Sequence, residues 1–76
     1  MENYTLDRME KDLQNGYGIY CNYNQTRYLI RKVTENCYSQ VLITIKEKSP
    51  HARMNLISWK ALKEAFPFMS EFEYEV

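Results

Sequence analysis

The chain has 76 residues, with ten basic and ten acidic side chains and no formal net charge. A neutral chain of this size excludes a highly basic nucleic-acid coat and a strongly acidic nucleic-acid mimic. Its 45% hydrophobic and 26% charged residues are typical of a globular domain rather than a disordered chain. We expect one domain over residues 1–76 with a small core, which favours a module that works through its surface over an enzyme.

The first predicted element is a short helix that begins after Thr5 and ends at Asn15-Gly16. The Thr5 hydroxyl is suited to accept a backbone N–H at the helix start, and Tyr4 and Met9 occupy the positions of a hydrophobic staple. Leu6, Met9 and Leu13 share one face at helical spacing. The glycine ends the helix because it adopts the left-handed conformation without the penalty of a Cβ.

Three strands are predicted next, over Tyr17–Asn22, Thr26–Thr34 and Tyr38–Lys46. They are rich in aromatic and β-branched residues, and turns at residues 23–25 and 35–36 separate them. In the third strand one set of apolar side chains alternates strictly with its neighbours. The residues of that set, which we expect to face the core, are Val41, Ile43 and Ile45.

A second helix is predicted in the last third of the chain, with Ser58 as its N-cap and Pro67 at its end. One face of this helix is apolar, and it carries Trp59, Leu62 and Phe66. The preceding Arg53–Ile57 is either a short fourth strand or an irregular connection to the helix. The final Glu71–Val76 alternates acidic and apolar residues, so it is either an edge strand or an acidic tail with hydrophobic anchors.

These elements predict an α+β fold, with a small antiparallel sheet of three to five strands flanked by an N-terminal and a C-terminal helix. Charge is unevenly distributed along it: residues 1–26 carry −2, residues 27–63 carry +6 and residues 64–76 carry −4. A neutral but electrostatically polar molecule steers association with a charged partner. The alternative is that these charges belong to an ordinary solvated surface.

The chain is rich in aromatic residues, with seven Tyr, three Phe and one Trp. In the second strand we place Tyr28 and Ile30 inward, because burying Arg27 and Arg31 in a small core would be costly. The opposite face would then combine an apolar and aromatic centre with a basic rim, which is typical of an interaction surface. Its predicted members are Tyr20, Arg27, Leu29, Arg31, Val33, Tyr38, Leu42 and Lys46. Alternatively, a helix or the terminal strand covers this face.

The predicted function is that of a small non-enzymatic binding protein with a protein partner. The residues assigned to the contact are Tyr20, Arg27, Leu29, Arg31, Tyr38 and Leu42. Tyrosines supply buried area, and arginines engage carboxylates or phosphates through two hydrogen bonds. The acidic end, with Glu71, Glu73 and Glu75, is a second candidate surface that would meet a basic nucleic-acid groove on the partner.

In size and composition the chain is similar to small phage or mobile-element proteins that inhibit a host enzyme or defence complex, such as anti-CRISPR proteins. That resemblance implies an inhibitor of an enzyme or of a nucleoprotein complex. Three alternatives stay open. The tyrosines could stack bases of a single-stranded nucleic acid, although the zero net charge opposes this. A small ligand could bind at a dimer interface, and the exposed sheet edges favour a homodimer.

Catalytic, cofactor and metal sites are not predicted. Cys21, Cys37 and His51 lack the spacing of a zinc site, and nothing brings a thiol and the histidine together for catalysis. The segments Gly18-Ile19-Tyr20 and Tyr28-Leu29-Ile30 resemble the opening of the GIY-YIG nuclease family. However, Ile30 stands where that family has glycine, and the downstream catalytic Arg and metal-binding Glu have no counterpart. Without a signal peptide or an apolar span, we expect a cytoplasmic protein with free cysteines.

Overall fold

A computed structural model of the chain describes residues 3–43 and 54–75. The elements, in chain order, are α1 (Leu6–Gln14), β1 (Ile19–Tyr23), β2 (Thr26–Thr34), β3 (Cys37–Ile43), β4 (Met54–Ile57), α2 (Trp59–Ala65) and β5 (Ser70–Tyr74). The strands form one five-stranded antiparallel sheet in the order β4-β3-β2-β1-β5. The predicted α+β fold is confirmed.

Both ends of α1 follow from local chemistry. The Thr5 hydroxyl accepts a hydrogen bond from the backbone N–H of Arg8 at 3.2 Å, which satisfies one of the unpaired donors of the first turn. Tyr4 and Met9 are both buried, as expected for a hydrophobic staple. After the helix Gly16 adopts a φ of 89°, a left-handed conformation that glycine accepts without strain. The predicted boundaries of this helix are confirmed.

The second helix begins as predicted and changes form at its end. The backbone N–H of Ala61 donates to the Ser58 hydroxyl at 3.1 Å, so Ser58 is the N-cap. The α-helix stops at Ala65, and the chain continues as a 3₁₀ turn over Phe66–Phe68 that contains Pro67 in its first residues. Proline is tolerated there because a first-turn N–H has no partner within the helix. Neither helix in the described ranges is long and apolar enough to cross a bilayer.

Tight turns set the pairing of the central strands. Asn24 and Gln25 between β1 and β2 both have positive φ, at 51° and 61°, which matches the two-residue turns that fit the twist of a hairpin. The second strand covers Thr26–Thr34 as predicted. The predicted end of the third strand, residues 44–46, lies outside the described residues, as does the loop around Pro50. Of the alternatives for residues 53–57, the strand is confirmed over Met54–Ile57.

The core lies between one face of the sheet and both helices. Ile30 of β2 is fully buried there and Tyr28 packs against it, so the predicted inward face of this strand is confirmed. The buried cluster consists of Tyr4, Met9, Leu13, Ile19, Cys21, Ile30, Tyr38, Leu62, Met69 and Phe72. The predicted apolar face of the second helix joins it, since Leu62 is a member and Trp59 and Phe66 pack against it.

The predicted orientation of β3 is wrong. Tyr38 is only 2% exposed and belongs to the core, whereas Val41, three residues further along the strand, points to the opposite face and is half-buried. The cause is the packing of the Tyr38 ring against Trp59 of α2, with centroids 5.6 Å apart. An aromatic ring buries more apolar area than a valine, so Tyr38 decides which side faces inward. Ile45 and the Ile43 side chain lie outside the described part of the chain.

Candidate functional site

Neither of the helices described in residues 3–43 and 54–75 lies on one surface of the sheet, and we call this surface the outer face. Its described residues are Tyr20, Arg27, Leu29, Arg31, Ser39, Val41, Leu56 and Glu73. Both helices contribute to the core on the other side, so the alternative in which a helix covers Leu29 is wrong. The terminal strand does not cover this face either, because β5 pairs with the edge of β1.

The outer face has an apolar strip across its middle. Leu29 lies between its cross-strand neighbours Tyr20 and Val41 and is only 7% exposed. Tyr20 and Val41 are half-buried, whereas Leu56 of β4 is 59% exposed. Val33 at the end of β2 is also exposed, as predicted. Because Leu29 has little free surface, the accessible apolar area comes mainly from its neighbours.

Arg27 is held by several groups of its own chain. Its Nη1 donates to the Asn22 Oδ1 at 2.9 Å and to the backbone carbonyl of Glu71 at 2.7 Å. Its Nη2 lies 3.5 Å from a carboxylate oxygen of Glu73, and the guanidinium lies over the Tyr20 ring, 5.6 Å from the centroid. This arginine is therefore fixed in one place by β1 and β5.

Arg31 forms a two-point ion pair with Glu75. Its Nε donates to one carboxylate oxygen at 2.8 Å, and its Nη2 donates to the other. The Glu75 backbone N–H donates to the Gly18 carbonyl at 2.8 Å, which holds the end of β5 against β1. A Cβ at position 18 would lie 3.1 Å from the Glu75 Cβ, so a larger residue would have to push the Glu75 side chain aside and this approach favours glycine.

These pairs join two regions that the sequence suggested were separate. The basic residues of β2 and the acidic residues after Ser70 form one network, in which Arg27 meets Glu73 and Arg31 meets Glu75. The strand order brings them together, since β1 lies between β2 and β5. The acidic end is therefore not an independent surface, and the arginines do not project as free cations.

The predicted contact residues divide into two groups. Tyr20, Arg27, Leu29 and Arg31 lie together on the outer face as predicted. Tyr38 is buried in the core, so its predicted place on the contact surface is wrong. The other exceptions are one residue of β3 and one residue of the edge strand β5. Leu42 of β3 pairs with Tyr28 rather than with Leu29, and its side chain lies outside the described part of the structure. Glu71 of β5 has a φ of 54° and lies beside an irregularity in the β1–β5 pairing.

A second candidate site was not predicted. A cavity of about 480 Å³ opens beside α1 and β5, and it is lined by Asp12, Tyr17, Tyr74 and Glu75. The Tyr17 and Tyr74 rings touch, with centroids 5.6 Å apart. No local pattern joins these residues, because the cavity depends on the pairing of Ile19 with Tyr74 across β1 and β5.

The carboxylate of Asp12 accepts two hydrogen bonds at this cavity. Its Oδ2 accepts from the Tyr4 hydroxyl at 2.7 Å and from the Tyr74 hydroxyl at 2.8 Å. Burial, followed by the hydrogen bond to Asp12, raises the pKa of Tyr4 far above its ordinary value. The Tyr4 hydroxyl therefore keeps its proton and remains a donor to the carboxylate.

Cys21 is buried and is not activated as a nucleophile. Burial raises the pKa of Cys21 to about 11, so this residue is a thiol at neutral pH. Cys37 is half-buried, and His51 lies outside the described residues. Within residues 3–43 and 54–75 no three His, Cys, Asp or Glu side chains form a group that would hold a metal ion.

The raised pKa values predict a loss of stability in alkali. The Cys21 thiol titrates at about 11 in the folded chain and at 9.0 in the unfolded one, so the unfolded chain releases this proton first. Its contribution to the free energy of unfolding is complete below pH 9 and is lost as pH rises to 11. Urea unfolding at pH 8 and 10.5 measures this loss, and Cys21→Ala should make it smaller. An equal loss in both proteins would contradict the assignment to Cys21.

Comparison with protein-family models, with curated proteins and with solved structures found no match to this chain. The geometry itself therefore defines the class. It is a small α+β protein with one sheet face covered by both helices and one face that the described elements leave open. A tyrosine- and carboxylate-lined cavity lies beside the edge strand β5.

Proposed function

We propose that this chain is a non-enzymatic binding protein that makes a stoichiometric contact with a protein partner through its outer face. The observation that carries this proposal is the one-sided packing of the sheet. Both helices bury the same face, and the opposite one keeps Leu56 exposed and Tyr20 half-buried. An apolar strip with a charged rim on a flat sheet has the composition of a protein interface.

The charges of the outer face support a protein rather than a nucleic acid. Binding of a phosphate backbone needs cations that are free to neutralise it, and both arginines in the described part of the outer face, Arg27 and Arg31, are paired with carboxylates. The more exposed members of the two pairs are Glu73, at 70%, and Arg31, at 54%, and they have opposite signs. The fitting partner is therefore a protein surface with an apolar centre and charges of both signs.

Inhibition of a host enzyme or a defence complex, anti-CRISPR-like, is the biological role we propose for this contact. It rests on the size and composition of the chain, which are those of small phage or mobile-element inhibitors. In this role the outer face covers a functional surface of a larger protein, and each inhibitor molecule binds one molecule of its target. Titration of the captured partner's activity with the purified chain should then end at equal molar amounts.

The contact is tested with a tagged chain incubated, with and without nuclease, in lysate of the host cells in which the inhibitor would act. The captured protein is identified by mass spectrometry, purified, and titrated with wild type and variants. Leu56→Glu combined with Tyr20→Ala should weaken binding at least about tenfold, because both remove apolar area from the outer face. The matched control is Phe68→Glu, which places the same charge at an exposed apolar residue beyond α2.

Two results would contradict the proposal. If Phe68→Glu weakens binding and the outer-face variant does not, the contact lies on the helical side. If capture is lost on nuclease treatment and the affinity of the remaining ligand falls steeply with salt, the ligand is a nucleic acid.

A further inference from the structure

We propose that the cavity between α1 and β5 binds an organic cation, an ammonium or guanidinium group, against Asp12 and the rings of Tyr17 and Tyr74. The cavity is distinct from the outer face, and the proposal does not depend on the protein contact made there. Its volume of about 480 Å³ is that of a small-ligand site.

The lining residues select this class of ligand. Two of them are carboxylates, Asp12 and Glu75, and the other two present aromatic rings. Glu75 is already paired with Arg31, so the charge that remains at the cavity is that of Asp12. This charge disfavours an anion, and a small hydrated metal ion would gain little from the rings. An organic cation is favoured by Asp12 and by both rings, because it pairs with a carboxylate and is attracted to the face of a tyrosine ring.

Asp12 lacks a cationic partner within the described chain. The ion pairs of residues 3–43 and 54–75 are Arg27–Glu73, Arg31–Glu75 and Lys32–Glu35. The two hydrogen bonds to Asp12 come from the neutral hydroxyls of Tyr4 and Tyr74. Arg8 is nearby, but its Nη2 donates to the Tyr74 hydroxyl at 3.3 Å. Both hydrogen bonds to Asp12 go to its Oδ2, so the Oδ1 of Asp12 is the atom that we assign to a charge-assisted hydrogen bond with an external cation.

The site is held in shape before any ligand arrives. The backbone N–H of Tyr17 donates to the Asp12 carbonyl at 2.9 Å, which places the ring next to the carboxylate. Arg31 and the Gly18 carbonyl hold Glu75, and Asp12 holds the hydroxyl of Tyr74. Tyr17 is 53% exposed, so its ring surface is accessible. Preorganisation of this kind lowers the entropic cost of binding.

The test is an NMR titration of isotope-labelled protein with butylammonium chloride, and with butanol as the neutral probe of similar shape. Butylammonium should shift the resonances of Tyr17, Tyr74 and Asp12 in a saturable way, and butanol should not. Tyr17→Ala should weaken binding about two- to fivefold, the value of one exposed cation–ring contact. Tyr17→Phe keeps the ring and should retain binding, and Phe68→Ala removes an exposed ring elsewhere and should have no effect.

A second pair of probes distinguishes the source of the cation. A capped peptide with one lysine is compared with the same peptide carrying norleucine in that place. If the lysine peptide binds at least tenfold more tightly than butylammonium, the ligand is a side chain of a protein. If the two bind equally, the site takes a free small amine.

The proposal is overturned if butanol shifts the same resonances as butylammonium, or if butylammonium causes no localised shift up to about 100 mM. It is also overturned if Tyr17→Ala binds as well as wild type. The combined Tyr20 and Leu56 variant of the outer face should leave this titration unchanged, so failure here and failure of the protein contact are separate results.

Discussion

Replacing Leu62 by alanine is expected to lower the free energy of unfolding by about 2–5 kcal/mol. Leu62 is fully buried where α2 packs on the sheet, and the shortened side chain would leave a cavity that the neighbours fill only in part. The total stability of a domain of this length is about 4–11 kcal/mol, so this one change removes a large share of it. Urea unfolding followed by tryptophan fluorescence measures the effect, because Trp59 packs against the same core.

The matched control for this prediction is Leu56→Ala, which removes the same atoms from the other side of the sheet. Leu56 is 59% exposed on the outer face, so we expect a change within about 0.5 kcal/mol. Similar losses for Leu56→Ala and Leu62→Ala would mean that the outer face is packed in the isolated chain. That result would contradict the one-sided packing from which the binding surface is argued.

Asp12→Ala is expected to cost about 1–3 kcal/mol, because it leaves the buried hydroxyl of Tyr4 without its acceptor. The Tyr74 hydroxyl loses the same partner, and with it a link between β5 and α1. The matched control is Glu10→Ala, which removes an exposed carboxylate from the same helix. It should change stability by less than about 0.5 kcal/mol.

A double-mutant cycle assigns this loss to the hydrogen bond itself. Tyr4→Phe removes the donor and keeps the ring that packs against Phe72, with centroids 4.9 Å apart. If the cost of Asp12→Ala comes from the unsatisfied hydroxyl, the double variant should lose clearly less stability than the sum of the single variants. Additive losses would show that Asp12 stabilises the chain in another way.

Features that depend on neighbouring residues could be predicted from the sequence. The caps at Thr5 and Ser58, the glycine after the first helix and its staple pair each depend on chemistry within about five residues. The inward face of β2 was also predictable, because only one choice of face keeps Arg27 and Arg31 out of the core.

Features that depend on pairing between distant strands could not be predicted in the same way. In β3 both faces carry apolar side chains, so alternation alone did not show that Tyr38 is inside. The place of β5 beside β1 is likewise set by tertiary packing, and it decides that Glu75 meets Arg31. The cavity at Asp12 follows from the same pairing. No local signal in the sequence indicates it.

The most direct test of the proposed contact is hydroxyl-radical footprinting of the chain, alone and with its captured partner. This method reports the solvent access of individual side chains. Tyr20 and Leu56 should be modified in the free protein and protected in the complex, whereas Phe68 should be modified equally in both. Protection of Phe68 with unchanged modification of Tyr20 and Leu56 would contradict the proposed contact, because the partner would then lie on the helical side of the sheet.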